Sequence, residues 1–135
     1  MIGKKQLETK LEYTRTGIIL FTTEYQACVE FYSNVLELPV MFTADNEHSK
    51  LTCCGMGGSY LMIETNGPPP AKLKTLEQNP FWLRFNVKDV EAATERLRSK
   101  GVEVTLRREV WGTVAHFADP DGNGCSFRDE DTFGA

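Results

Sequence analysis

Apolar positions along the chain change period in a fixed order, and the order occurs twice. Gly17-Ile18-Ile19-Leu20-Phe21-Thr22 is a short apolar run that reads as a buried strand. Tyr25, Cys28, Val29, Tyr32, Val35 and Leu36 then recur at helical spacing and mark one face of a helix. Thr23 is its expected N-cap, with Gln26 three residues on completing a capping box. Pro39 ends the helix. Three strands are expected next, the first beginning at Val40-Met41-Phe42. The others run from Lys50 to Cys54 and from Ser59 to Thr65, around a Gly55-Met56-Gly57-Gly58 loop. Asn66-Gly67-Pro68-Pro69-Pro70 breaks the pattern and opens a linker that runs to Asn79.

The order then repeats. Phe81 to Val87 reads as a strand, and Asp89 caps a helix with Val90, Ala93, Thr94 and Leu97 on one face and Gly101 just past its end. Val102 to Leu106 is an expected strand. Gly112 to Phe117 and Asn123 to Arg128 form a hairpin around Asp119-Pro120-Asp121-Gly122. There Pro120 presets φ, the carboxylates can accept nearby N–H groups, and Gly122 tolerates positive φ. Glu24 and Asp89, Gly17 and Trp82, and Gly57 and Gly122 hold equivalent places 65 positions apart. A period near half the length implies duplication of one unit. The expected fold is α+β: two βαβββ modules whose curved, mostly antiparallel sheets form a half-barrel cavity, with helices on the outer face. The expected organisation is one domain, with an arm over 1–12, modules at 13–65 and 80–130, a linker at 66–79 and a tail at 131–135.

Composition narrows the function classes. A net charge of −4 without a Lys/Arg cluster disfavours nucleic acid, and no apolar run is long enough to span a membrane. The first residues lack the apolar segment of a secretion signal, so a cytoplasmic location is expected. Cys28, Cys53, Cys54 and Cys125 sit in apolar periodic segments and are expected as reduced, buried thiols. No CxxC or CxxH spacing points to zinc.

Two stretches carry a resemblance. Glu24 to Leu36 is a helix with Phe31-Tyr32 and an Asn34-Val35-Leu36 ending, and the second stretch is Phe117-Ala118-Asp119-Pro120-Asp121-Gly122-Asn123. At this separation within a βαβββ duplicate they resemble the vicinal oxygen chelate superfamily: glyoxalases, bleomycin-resistance proteins, extradiol dioxygenases and fosfomycin-resistance transferases. The resemblance implies a homodimer with pockets at or near the interface. In metal-using members it also implies ligands on the first and last strands of each half. Three of those places correspond to Gly17, Trp82 and Ser126, which are not metal-binding side chains. The fourth falls on Leu61, Met62 or Glu64, of which only Glu64 could bind metal. The expectation is therefore no metal and no other cofactor. An extradiol dioxygenase, which needs two His and one Glu, is excluded because neither His48 nor His116 lies on a first strand.

Strand alternation predicts what lines the cavity instead. Trp82, Arg84 and Asn86 share one face, while Phe81, Leu83, Phe85 and Val87 point toward the helices. Ser126 and Arg128 join the cavity face, as do Val114 and His116, and Phe21, Tyr60, Met62 and Glu64 supply the wall of the first half. An apolar wall with a few convergent polar groups suits a small molecule, here an anionic or aromatic one. Arg84 and Arg128 either bind such a ligand or simply pair with Glu64 and with Asp129 or Glu130. Trp82 and Trp111 either stack on it or pack in the core. The function expected is small-molecule binding without metal catalysis. The alternative is a glyoxalase-type lyase or transferase with a rearranged site that uses Glu64 and His116, the latter as acid or base.

Overall fold

The computed structural model describes residues 10–134, so most of the expected arm and Ala135 lie outside it. The first unit contains β1 (Thr16–Phe21), α1 (Tyr25–Glu30), a π-helical turn (Phe31–Val35), β2 (Val40–Asp45), β3 (Lys50–Met56) and β4 (Ser59–Glu64). The second contains β5 (Leu83–Val87), α2 (Val90–Ser99), β6 (Thr105–Glu109), β7 (Gly112–Ala118) and β8 (Gly124–Asp129). The two sheets have the orders β1-β4-β3-β2 and β5-β8-β7-β6. In each, the first strand pairs in parallel with the last and the remaining pairs are antiparallel. The duplicated βαβββ architecture is thus present.

One core joins both units. Cys28, Phe31 and Tyr32 from α1 and its π turn, and Val90 and Leu97 from α2, pack with Leu61, Ile63, Phe117, Cys125 and Phe127 from the sheets. The helical periodicity of the sequence misses Phe31. Leu36 N–H reaches back to Phe31 C=O at 2.8 Å, and this wider turn brings Phe31 and Tyr32 inside together. Phe31 then lies 6.2 Å from Phe117, ring to ring.

Three local expectations shift. The N-cap of α1 is Glu24, and the supporting hydroxyl is that of Thr22, which accepts Glu24 N–H at 2.8 Å. Thr23 instead donates to Pro68 C=O at 3.1 Å, across to the linker. The strand after α2 starts at Thr105 rather than Val102, because Gly101 (φ +86°) closes the helix with a Schellman motif: Gly101 N–H to Arg98 C=O and Val102 N–H to Leu97 C=O. Phe81, expected against the helices, precedes β5 and is 76% exposed.

The Asp119–Asn123 turn does more than reverse the chain. Asp119 accepts Tyr32 Oη–H at 2.6 Å, the N–H groups of Asp121 and Asn123 at 2.9 Å, and Asn123 Nδ2–H at 2.9 Å. The linker is anchored on the same turn. Lys74 N–H donates to Gly122 C=O at 2.8 Å, and Lys74 Nζ meets Asp121 Oδ2 at 2.9 Å with both side chains almost fully buried. Gly122 (φ +90°) cannot be replaced easily, since a Cβ there would overlap the Ala71 carbonyl. Cys28, Cys53, Cys54 and Cys125 are free, buried thiols.

Candidate functional site

Each sheet has one face on the core and one open face. On the second sheet, Leu83, Phe85, Val87, Cys125 and Phe127 pack on the core side. Trp82, Arg84, Asn86, Ser126 and Arg128 alternate with them and therefore occupy the open face. The register sets Arg84 beside Ser126 and Asn86 beside Arg128. On the other side of β8, His116 stands opposite Ser126 and Val114 opposite Arg128. On β6, Thr105 and Arg107 complete the face. Sequence reasoning named neither for the site: its strand over Val102–Leu106 contains Thr105 but ends before Arg107.

On the first sheet, Tyr60, Met62 and Glu64 alternate with the core residues Leu61 and Ile63. The register settles the open alternative. Gly17 pairs with Tyr60, whereas Leu83 pairs with Cys125, so Trp82 stands at the level of Gly124. Two residues farther along each last strand are Met62 and Ser126. The four places at which the resemblance sets metal ligands are therefore Gly17, Met62, Trp82 and Ser126. Two have no donor atom suited to a cation, and a thioether and a neutral hydroxyl are weak ligands for the divalent ions concerned. The residues do not fit a metal. Among the described residues, no group of three or more His, Cys, Asp or Glu is placed to hold one. Aromatic rings take up the room: a Cβ at Gly17 would overlap the Tyr60 ring, and one at Gly124 would overlap the Trp82 indole.

The arginines on the open face are held by uncharged groups. Arg84 Nε donates to Ser126 Oγ at 2.9 Å. Arg128 is only 8% exposed, and its Nη2 donates to Trp111 C=O at 2.9 Å and Thr132 C=O at 3.2 Å. Its Nε is buried without a partner. Both guanidiniums lie against the Trp111 ring, with Cζ 4.6 Å (Arg128) and 5.8 Å (Arg84) from its centroid, and Phe133 is 5.4 Å from Arg128. Of the two alternatives for these arginines, pairing with Glu64, Asp129 or Glu130 is not seen within the chain. Asp129 accepts Thr132 Oγ1–H at 2.5 Å, Thr132 N–H at 2.9 Å and Thr113 N–H at 2.8 Å. These bonds, the Thr132 hydroxyl foremost, hold its pKa down at about 2, with a smaller push from Arg128. Glu130 accepts Asn86 Nδ2–H at 3.0 Å, and Glu64 belongs to the other sheet.

His116 is partly buried, its ring 5.1 Å from Trp82. Desolvation lowers its pKa below 6.5; the nearby Arg84 and Arg107 add to this and Glu109 opposes it. A histidine whose folded-state pKa is depressed binds fewer protons than in the unfolded chain, so its contribution to stability is lost as pH falls from 6.5 through the folded value. Its NMR titration midpoint is expected below 6.5 and should move up in Arg84→Gln. A midpoint at or above 6.5 in the wild type would refute this placement.

Trp82 and His116 line a cleft of about 610 Å³ that also borders Lys72, Thr105 and Asp119. Trp111 and Arg128 line another of about 700 Å³. A third, about 370 Å³, lies between the edge strand β1 and Phe81 and Leu83. Phe21, Tyr60, Met62 and Glu64 line none of these. None of these three clefts contains both His116 and Glu64.

Two sheets of this topology with helices on one side and an open face on the other define the class. The family model of the glyoxalase/bleomycin resistance protein/dioxygenase superfamily matches residues 13–127. The chain belongs to that superfamily. Among solved structures, SMU.1112c is 25% identical over 88% of this chain and 99% of its own, with a TM-score of 0.75. TnmS3, an antibiotic binding protein from Streptomyces sp. CB03234, is 21% identical over 90% and 98%, with a TM-score of 0.72. Lactoylglutathione lyase from Agrobacterium tumefaciens is 17% identical over 93% and 100%, with a TM-score of 0.69. At these identities the last two likenesses concern the fold alone. No curated protein sequence matches the chain. Among the described residues, no helix is long and apolar enough to cross a membrane.

Proposed function

We propose that the protein binds a small organic molecule against its open sheet faces, as a homodimer, and without the divalent metal used by other members of its superfamily. The observation that carries this reading is the set Gly17, Met62, Trp82 and Ser126 at the four places where ligands would stand. Side chains that fill the same space, Trp82 and Tyr60 among them, give an apolar wall interrupted by Arg84, Arg128, His116 and Ser126, the usual make-up of a small-molecule site. That the superfamily fold includes an antibiotic binding protein, TnmS3, supports binding as a role; its ligand is not carried over.

Ile19, Phe21 and Phe42, on the open face of the first sheet, are each nearly half exposed. An apolar face of this kind needs cover, and the second sheet of another copy would supply it together with the polar wall. That arrangement would also bring Phe21, Tyr60, Met62 and Glu64 to the cavity. Four free, buried cysteines suit a reducing compartment, in keeping with a cytoplasmic location.

The test is made on the purified protein. Its mass in solution should be that of a dimer. Metal analysis should find no stoichiometric nickel, zinc or manganese, and the methylglyoxal–glutathione adduct should not be turned over. Stoichiometric metal accompanied by turnover would overturn the reading.

A further inference from the structure

We infer that the open face of the second sheet takes an oxyanion carried on a planar aromatic ring, the oxyanion held between Arg84 and Arg128 and the ring against Trp82. The inference rests on the small-molecule-binding reading above and names its ligand class. Arg128 is the strongest indication. It is more than nine-tenths buried, fixed by Trp111 and Thr132 carbonyls, and its Nε donates to nothing. A buried donor without an acceptor costs about 1–3 kcal/mol, and more when the group is charged. An acceptor oxygen from a ligand removes that cost.

Arg84 stands on the adjacent strand, beside Ser126 and two residues from the level of Arg128, and both guanidiniums lie within 6 Å of the centroid of the Trp111 ring. Ser126 occupies only Nε of Arg84, leaving the terminal nitrogens for a second contact. Among the described residues, neither arginine has a carboxylate within 4 Å. Arg107, on the same face, is already 3.5 Å from Glu109. Two adjacent guanidiniums with free donors match a carboxylate or sulfonate, whose oxygens accept from both in charge-assisted bonds. A cationic ligand would face two uncompensated positive charges, and a neutral one would leave Arg128 Nε as it is. The indole of Trp82, 41% exposed beside His116, lines the neighbouring cleft and offers the apolar surface for a ring; Arg84, which faces both His116 and the Trp111 ring, stands between the two clefts. Trp111 is a positioning residue: its own ring is occupied by the two guanidiniums.

Calorimetric titration of the full chain with four naphthalene probes tests this. 2-Naphthoate and naphthalene-2-sulfonate should each bind at least tenfold more tightly than 2-naphthalenemethanol, and 2-naphthylmethylammonium more weakly still. Arg84→Gln, folded by circular dichroism, should lose at least tenfold toward both oxyanions and keep the affinity for the alcohol. Trp111→Phe, which keeps an aromatic ring under the guanidiniums, should fall between; should Arg84→Gln fail to fold, it decides in its place. If the alcohol binds as tightly as the acid, or the variant weakens both equally, the anion inference falls and small-molecule binding stands. If no probe binds, both fall. Oxyanion binding seen only in Glu64→Gln would also overturn it, by assigning the arginines to the carboxylate of a second copy.

Discussion

Asp119→Ala is expected to destabilise the protein by at least about 3 kcal/mol, a fall in melting temperature of about 10 °C for a chain of this size. Four hydrogen bonds end on this one buried carboxylate, and they come from three residues in two separate segments. Tyr32 belongs to the π turn after α1, while Asp121 and Asn123 belong to the turn between β7 and β8. Removing the carboxylate leaves the Tyr32 hydroxyl, which is fully buried, with only the Cys125 sulfur at 3.6 Å. It also frees the backbone that shapes the turn. Asp119→Asn keeps one acceptor and should fall between the two. Denaturant unfolding monitored by tryptophan fluorescence measures both variants; a loss below about 1 kcal/mol for the alanine variant would show that the turn holds itself without Asp119.

Lys74→Met is expected to be comparably severe, at about 3–5 kcal/mol, because it strips the counter-charge from Asp121 in a site closed to water. The Lys74 side chain is 7% exposed and that of Asp121 0%, and Asp121 Oδ1 already lacks a partner. Methionine keeps the apolar stem, so the effect isolates the charge. Adding Asp121→Asn to Lys74→Met should restore part of the loss, since an amide tolerates burial better than an unpaired carboxylate. A single variant as stable as the wild type would mean that the linker is not fastened through this pair. Limited proteolysis gives an independent reading. Cleavage within 66–79 should become faster in Lys74→Met, because Lys74 and Asn79 are what tie that segment to Asn123.

These two predictions also show where sequence reading succeeds and where it stops. The Asp119-Pro120-Asp121-Gly122 stretch is legible as a turn because turn chemistry is local: Pro120, the carboxylates and Gly122 act within a few residues. Its role as the clasp between the units is not legible, because its partners, Tyr32 and Lys74, lie 87 and 47 residues away. The open face divides in the same way. Alternation places Trp82, Arg84, Asn86, Ser126, His116 and Arg128 on it, since side chains of a strand point to alternate sides. Alternation says nothing about pairing, and within the chain the Arg128–Asp129 and Arg–Glu64 pairs, one of the two alternatives, do not form.

The chain alone determined the doubled βαβββ order, the helix faces and the loss of donor residues at Gly17, Trp82 and Ser126. All of these follow from periodicity, turn residues and residue type within one strand or helix. Only the tertiary structure decided that Met62 stands in the fourth place, that Thr105 and Arg107 share the face with His116, and that Arg128 is buried on Trp111 with an idle Nε. Register, burial and the choice of partner arise between segments distant in sequence, and they are fixed by packing of the whole rather than by any local preference.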